Sequence, residues 1–289
     1  MRKPPRESQP SGERESPWGR PREPRTDRPA PPPSAERDEA PEREVRLYGL
    51  NACLAAFARR PDALRKVYLT EARMPALKHV LAWCVKHRLG YRLVEEDDLD
   101  RLTSSRHHEG VCFEMRRAPP LLLPKLLAAQ SPSAPSLLLW LDGVGNPHNL
   151  GALMRSAAHF GAAGIVVPDE SALDVSGAAA RVAEGAAEVV PLVRAPAALT
   201  RAALRSSGYT IAATVPRNGT PLYEAKLPSR LVFVFGAEGE GMSSALIDAA
   251  DLKLTIPGSG AIESLNVAAS VAVVLGEYWR QRHLRATRA

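Results

Sequence analysis

The chain has little cysteine and few aromatic residues. Cys53, Cys84 and Cys112 are its only cysteines, an odd number with neither CxxC nor metal-ligand spacing. That excludes a disulfide framework and a thiolate metal centre, and reads as buried thiols of a reducing cytoplasm. No apolar run approaches the ~20 residues that span a bilayer. The Arg- and Pro-rich start has no apolar segment of a secretory signal, so a soluble cytoplasmic protein is expected. Phosphate cradles are missing too. No GxxxxGK[ST] occurs, and "DGVGNPHNLG" stands after a strand where a dinucleotide site would show GxGxxG. His107, His108 and His148 share no metal spacing and read as loop residues and not as ligands.

Charge is present but unevenly placed. Residues 1–44 hold ten basic and ten acidic side chains, residues 45–117 fourteen and nine, and residues 118–289 fourteen and thirteen. Nearly all of the +6 net charge therefore lies in the middle segment, which suggests an anionic partner there. A merely solvated basic face reads the same way by charge alone.

The first 44 residues contain eleven prolines and one large aromatic, Trp18. They cannot bury enough surface to offset chain entropy and are expected to be a disordered tail. From Val45 to Arg117 helical and strand patterns alternate: "NACLAAFARR", "KVYLT", "MPALKHVLAWCVKHR", "YRLVE" and "VCFEM". This predicts a small α/β domain over 45–117. A Pro-broken linker is expected over 118–136.

Residues 137–289 carry apolar runs of the kind that form strands covered on both faces: 137–142, 164–168, 188–193, 209–215, 231–236 and 252–257. Helical patterns at 149–160, 177–184, 196–207 and 243–250 separate them, and another follows at 264–283. Regular alternation predicts an α/β fold with a parallel sheet. In such sheets ligands bind beyond the carboxyl ends of the strands. Three polar clusters stand there: "DGVGNPHNLGALMRSAAHFGA" (142–162), "GAEGEGMS" (236–243) and "IPGSGAIESLN" (256–266). Each has a structural use. On that reading Asn149 would cap the helix carrying Arg155, glycines 236, 239 and 241 would make a tight turn, and Ser264 would cap the last helix. All three clusters at strand ends of one domain point instead to a site, and Glu238 in a Gly-rich loop does not belong to a core.

"NPHNLGALMRSA", "FGAEGEGMS" and "IPGSGAIESLNVAAS" resemble, in order and spacing, the three motifs of the SpoU/TrmH-type RNA methyltransferases of the SPOUT superfamily. "YGLNA" (48–52) and "HEGVCFEM" (108–115) resemble the Gly-x-Asn-Ala and His-Gln-Gly-Val ends of that family's L30e-like substrate-binding domain, with Glu109 in place of Gln. Gly258 stands where the third motif usually has Met. The resemblance implies a trefoil-knot methyltransferase domain over 137–289 that binds S-adenosylmethionine without a metal. It also implies a homodimer through the last helix. The reaction implied is methyl transfer to a ribose 2′-hydroxyl of RNA, ribosomal RNA ahead of transfer RNA. Two other readings remain: a base-methylating SPOUT enzyme, and a ribosome-assembly factor with vestigial activity.

By the same resemblance Arg155 is the central catalytic residue, Asn149 positions it or the substrate, and Glu238, Ser264 and Asn266 complete the pocket. Gly236, Ile256 and Leu265 match main-chain contacts to the cofactor, and Thr214 and Gly241 are further cofactor-binding candidates. A guanidinium is a poor general base because it stays protonated, so a clamp that stabilises the developing alkoxide is the preferred role of Arg155. Gly236→Val is expected to abolish cofactor binding and leave the fold intact.

Overall fold

The computed structural model describes residues 44–237, 239 and 241–286. The expectation of a disordered tail therefore lies outside the described residues, except for Glu44, which opens the first strand. Glu238 also lies outside them.

The first sheet is built from β1 (Glu44–Tyr48), α1 (Leu50–Arg59), β2 (Leu64–Leu69), α2 (Lys78–His87), β3 (Gly90–Leu93), α3 (Glu96–Thr103) and β4 (Val111–Arg116). Its strand order is β1-β4-β2-β3, with only the β2–β3 pair parallel. Leu47, Val67, Phe113 and Met115 form its core against α1 and α2. The three cysteines are free and buried, as expected. Burial pushes all three thiols up, Cys112 to about 12, so none is a thiolate nucleophile at neutral pH.

The stretch expected to be a linker holds a helix, α4 (Leu123–Ala128). Pro124 was read as a breaker, yet it sits in the first turn, where the missing N–H costs nothing. Leu123, Leu126 and Leu127 pack onto the second sheet.

That sheet comprises β5 (Ser136–Asp142), α5 (Pro147–His159), β6 (Gly164–Val167), α6 (Gly177–Ala183), β7 (Leu192–Arg194), α7 (Ala197–Ser206), β8 (Thr210–Thr214), β9 (Thr220–Pro221), β10 (Arg230–Gly236), α8 (Ser244–Asp248), β11 (Leu252–Thr255) and α9 (Val267–Ala286). The order is β7-β6-β5-β10-β8-β11-β9 and every neighbouring pair is parallel. The run 188–193, expected as one strand, is a short 3-10 turn at Ala186–Glu188 followed by β7, because Pro191 interrupts it.

Strand side chains alternate between faces, and the core divides accordingly. Leu137, Leu139, Leu141, Phe233 and Phe235 meet α5, α6 and α9 on one face. Leu138, Trp140, Val232 and Val234 meet α4, α7 and α8 on the other. Both faces are covered, which is why the strands read as continuous apolar runs.

The two sheets are joined through α6. Gly177 lies so close to β1 that an added Cβ would stand 2.4 Å from the Arg46 carbonyl oxygen. Arg60 holds Glu188 with two hydrogen bonds of 2.8 Å, Asn51 donates to Glu184 at 2.6 Å, and Arg181 pairs with Glu109 at 3.6 Å. Glu109, the departure noted in the sequence, adopts a left-handed φ of 55° and accepts from the Leu50 amide at 3.0 Å. Among the described residues no helix is long and apolar enough to cross a membrane.

Candidate active site

The three polar clusters meet beyond the carboxyl ends of β5, β8, β10 and β11. Asp142, the last residue of β5, accepts a hydrogen bond from the Ser243 amide at 3.2 Å, tying the first cluster to the second. Within the second cluster Ala237 and Gly241 exchange two backbone hydrogen bonds of 2.9 Å each, closing a tight loop. A Cβ on Gly143 would stand 3.1 Å from that of Ala237, so these loops also touch. The Thr214 hydroxyl, at the end of β8, donates to the Val234 carbonyl at 2.7 Å and binds that strand end to β10.

Gly236 is required by the loop itself. An added Cβ would stand 2.3 Å from the Gly241 carbon and the Met242 nitrogen, backbone atoms that cannot turn aside. The expectation that Gly236→Val leaves the fold intact is therefore corrected. Even Gly236→Ala is expected to displace residues 237–241. It should lower unfolding stability by about 1–3 kcal/mol and remove cofactor binding together, read by urea unfolding and calorimetry. Wild-type affinity in the Ala variant would show that the loop does not form the site.

The third cluster also differs from expectation. Neither Asn149 nor Ser264 is a cap. Asn146 caps α5, accepting from the His148 amide at 2.8 Å, with Pro147 at the first helical position. The Asn-Pro pair was the signal for it. Asn266 caps α9, its Oδ1 accepting from the Ala268 amide at 2.9 Å and the Ala269 amide at 3.4 Å. An asparagine directly before the apolar run is as good a cap as serine. Ser264 lies exposed in the loop before it, as does Glu263, which pairs with Arg217 at 3.3 Å.

The same Asn266 amide does a second job. With its oxygen fixed by the helix N–H groups, its Nδ2 donates to Asn149 Oδ1 at 3.1 Å. One side chain thus joins the third cluster to the first. Ile256 is half-buried against the core, whereas Ile262 and Leu265 are 71% and 44% exposed. Nothing lies within 4 Å of where a Cβ on Gly258 would stand, so the motif's departure there leaves open space. Among the described residues no group of three His, Cys, Asp or Glu side chains is arranged to hold a metal.

Arg155 stands apart from these residues. Six positions beyond Asn149, it lies roughly 120° around the helix. It is exposed, and it lines a cavity of about 600 Å³ with Arg59, Glu184 and Glu188. Among the described residues it makes no hydrogen bond or ion pair. Of the ten candidate residues, the loops gather Asn149, Asn266, Gly236 and Gly241, and Thr214 braces a strand end. Asp142 and the cap Asn146 were not singled out from the sequence.

Two family models match the chain. The SpoU rRNA Methylase family matches residues 136–276, and the RNA 2'-O ribose methyltransferase substrate binding family matches residues 46–121. Among curated relatives, an uncharacterized tRNA/rRNA methyltransferase, YfiF, of Escherichia coli O157:H7 is 38% identical over 239 residues, 82% of this chain and 68% of that one. The 23S rRNA (guanosine-2'-O-)-methyltransferase RlmB of Pseudomonas putida is 33% identical over 245 residues, 83% of this chain and 98% of that one. A crystal structure of an RNA 2'-O ribose methyltransferase superposes with a TM-score of 0.71 at 26% identity, covering 83% of this chain and 90% of the other. A mixed α/β fold with a parallel sheet, three loops gathered at its strand ends and relatives that span nearly the full described length converge on one conclusion: the chain belongs to the SpoU rRNA methylase family of RNA methyltransferases.

Proposed function

We propose that the chain transfers a methyl group from S-adenosylmethionine to a ribose 2′-hydroxyl of structured RNA, with ribosomal RNA as the substrate class. The observation that carries this is the Asn266–Asn149 hydrogen bond, which closes the loops at the carboxyl ends of the strands into one site. The ribosomal preference rests on the RlmB relatives and on the match of residues 46–121 to a substrate-binding family.

The residues present fit the cofactor. Gly236 ends β10, Ile256 follows β11 and Leu265 lies in the loop before α9, so their main-chain groups are candidates for cofactor contacts, and Ile256, Ile262 and Leu265 offer apolar cover for a flat adenine. Bound there, the sulfonium supplies a methyl electrophile that already carries a good leaving group, so catalysis falls to alignment and charge. Asn149 and Asn266 orient the nucleotide, and Arg155 clamps a phosphate and stabilises the alkoxide that develops on the hydroxyl oxygen. Ser264 completes the pocket in this reading. In this reading the enzyme works in the cytoplasm as a homodimer, with the face of α9 that shows Trp279 available to a second copy.

Incubating the chain with labelled S-adenosylmethionine and total unmodified RNA, then mapping the label, tests the reading. Label on a ribose of ribosomal RNA is the expected result. Label on a base favours the base-methylating alternative, and cofactor binding with no incorporation favours the assembly factor.

A further inference from the structure

The cavity beside Arg155 lies where the two family-matched segments meet. One wall is α1, with Ala55, Ala58 and Arg59, and the other is α5 with the Glu184–Val189 turn. Five of its eleven lining residues are alanine and one is glycine, so much of the space is left by small side chains. About 600 Å³ lies within the range of roughly 300–1,000 Å³ that takes a ligand of nucleotide size.

The charge in the cavity is positive once pairs are set aside. Glu188 is neutralised by the two-bond contact with Arg60, whereas Glu184 accepts from the neutral Asn51 amide and keeps its charge, so Arg59 and Arg155 stand against one carboxylate. Arg59, the last residue of α1, is exposed and, like Arg155, makes no hydrogen bond or ion pair among the described residues. Two arginines that line one cleft and have no partner among the described residues are poorly explained by stability, because like charges repel. They are well explained by a shared anion, for which a guanidinium offers paired donors.

We propose that this cleft is the entry for a single RNA strand, with Arg59 holding a phosphodiester of the nucleotide next to the one that Arg155 serves. The proposal rests on the methyltransferase reading above and extends it, by assigning to a residue outside the three motifs the placement of substrate. Arg59 belongs to the segment 45–117 that holds the excess of positive charge.

The test uses the full chain, a short fluorescein-labelled single-stranded RNA for binding, and in vitro transcribed 23S ribosomal RNA for methylation. Arg59→Ala is expected to weaken RNA binding about five- to tenfold near 0.1 M salt and to reduce the salt slope by about 0.7, the loss of one single-strand phosphate contact. It should raise KM for RNA with kcat retained, and leave cofactor affinity and the unfolding midpoint unchanged. Ala58→Trp, an exposed position, should block the strand without altering charge. Lys125→Ala removes a positive charge from exposed α4, on the opposite face of the sheet, and should have no such effect. Binding and salt slope unchanged in Arg59→Ala, or lost equally in Lys125→Ala, would overturn the cleft. If the wild type binds RNA through Arg59 yet methylates nothing, the cleft stands and the proposed reaction fails.

Discussion

Arg155→Ala is expected to lower single-turnover methylation on the order of 10²–10³-fold, the scale of removing one group that stabilises developing charge. Stability should not change, since Arg155 is exposed and without partners among the described residues, and such surface substitutions usually stay within about 0.5 kcal/mol. Arg155→Lys keeps the charge and loses the planar fork, so most of the activity should be lost with it. A clamp predicts that the Lys variant keeps the wild-type shape of the pH profile at a lower height. A changed shape would instead make Arg155 part of the proton transfer. Near-normal rates in the Lys variant would remove the need for a bidentate group.

The second large effect separates the two duties of Asn266. Asn266→Ala loses the cap on α9, which costs about 1 kcal/mol, and loses the donor to Asn149 as well. Asn266→Asp keeps an acceptor for the helix N–H groups and adds a negative charge at the positive end of α9, worth roughly 0.3–1 kcal/mol. The Asp variant should therefore be at least as stable as wild type. Methylation should still fall on the order of 10²-fold, because the bond that fixes Asn149 is gone and small misplacements are costly. Asn149→Ala should show a similar fall, and combining it with Asn266→Asp should add little, since both break one contact. Full activity in Asn266→Asp would reduce the side chain to a helix cap.

The three clusters were legible in the sequence, and the structure brings Asn149, Asn266, Gly236 and Gly241 together, but two of the helix-capping roles were misassigned. Ser264 and Asn149 were natural cap candidates by type, yet Asn266 and Asn146 hold those positions. Helix ends are settled by which residue departs from helical geometry, and residue type alone only narrows the choice. Pro124 shows the same limit in reverse, a helix-breaking residue that in the first turn starts a helix. Gly236, which the resemblance marks as a main-chain contact to the cofactor, is also required by its own loop, where a Cβ would meet the Gly241 and Met242 backbone.

What the sequence determined by itself is local. The alternation of Leu137, Leu139 and Leu141 against Leu138 and Trp140 assigns their faces, because successive side chains of a strand point opposite ways by covalent geometry. The spacing of Val267, Val271, Val274 and Leu275 assigns the buried side of α9 for the same kind of reason. Only the tertiary structure decided that β10 lies between β5 and β8, that Asn266 meets Asn149 across 117 residues, and that Arg155 and Arg59 line one cavity. Those contacts depend on which strands pair and which helices cover them. That choice is made by packing the whole chain at once, and no period within a short stretch records it.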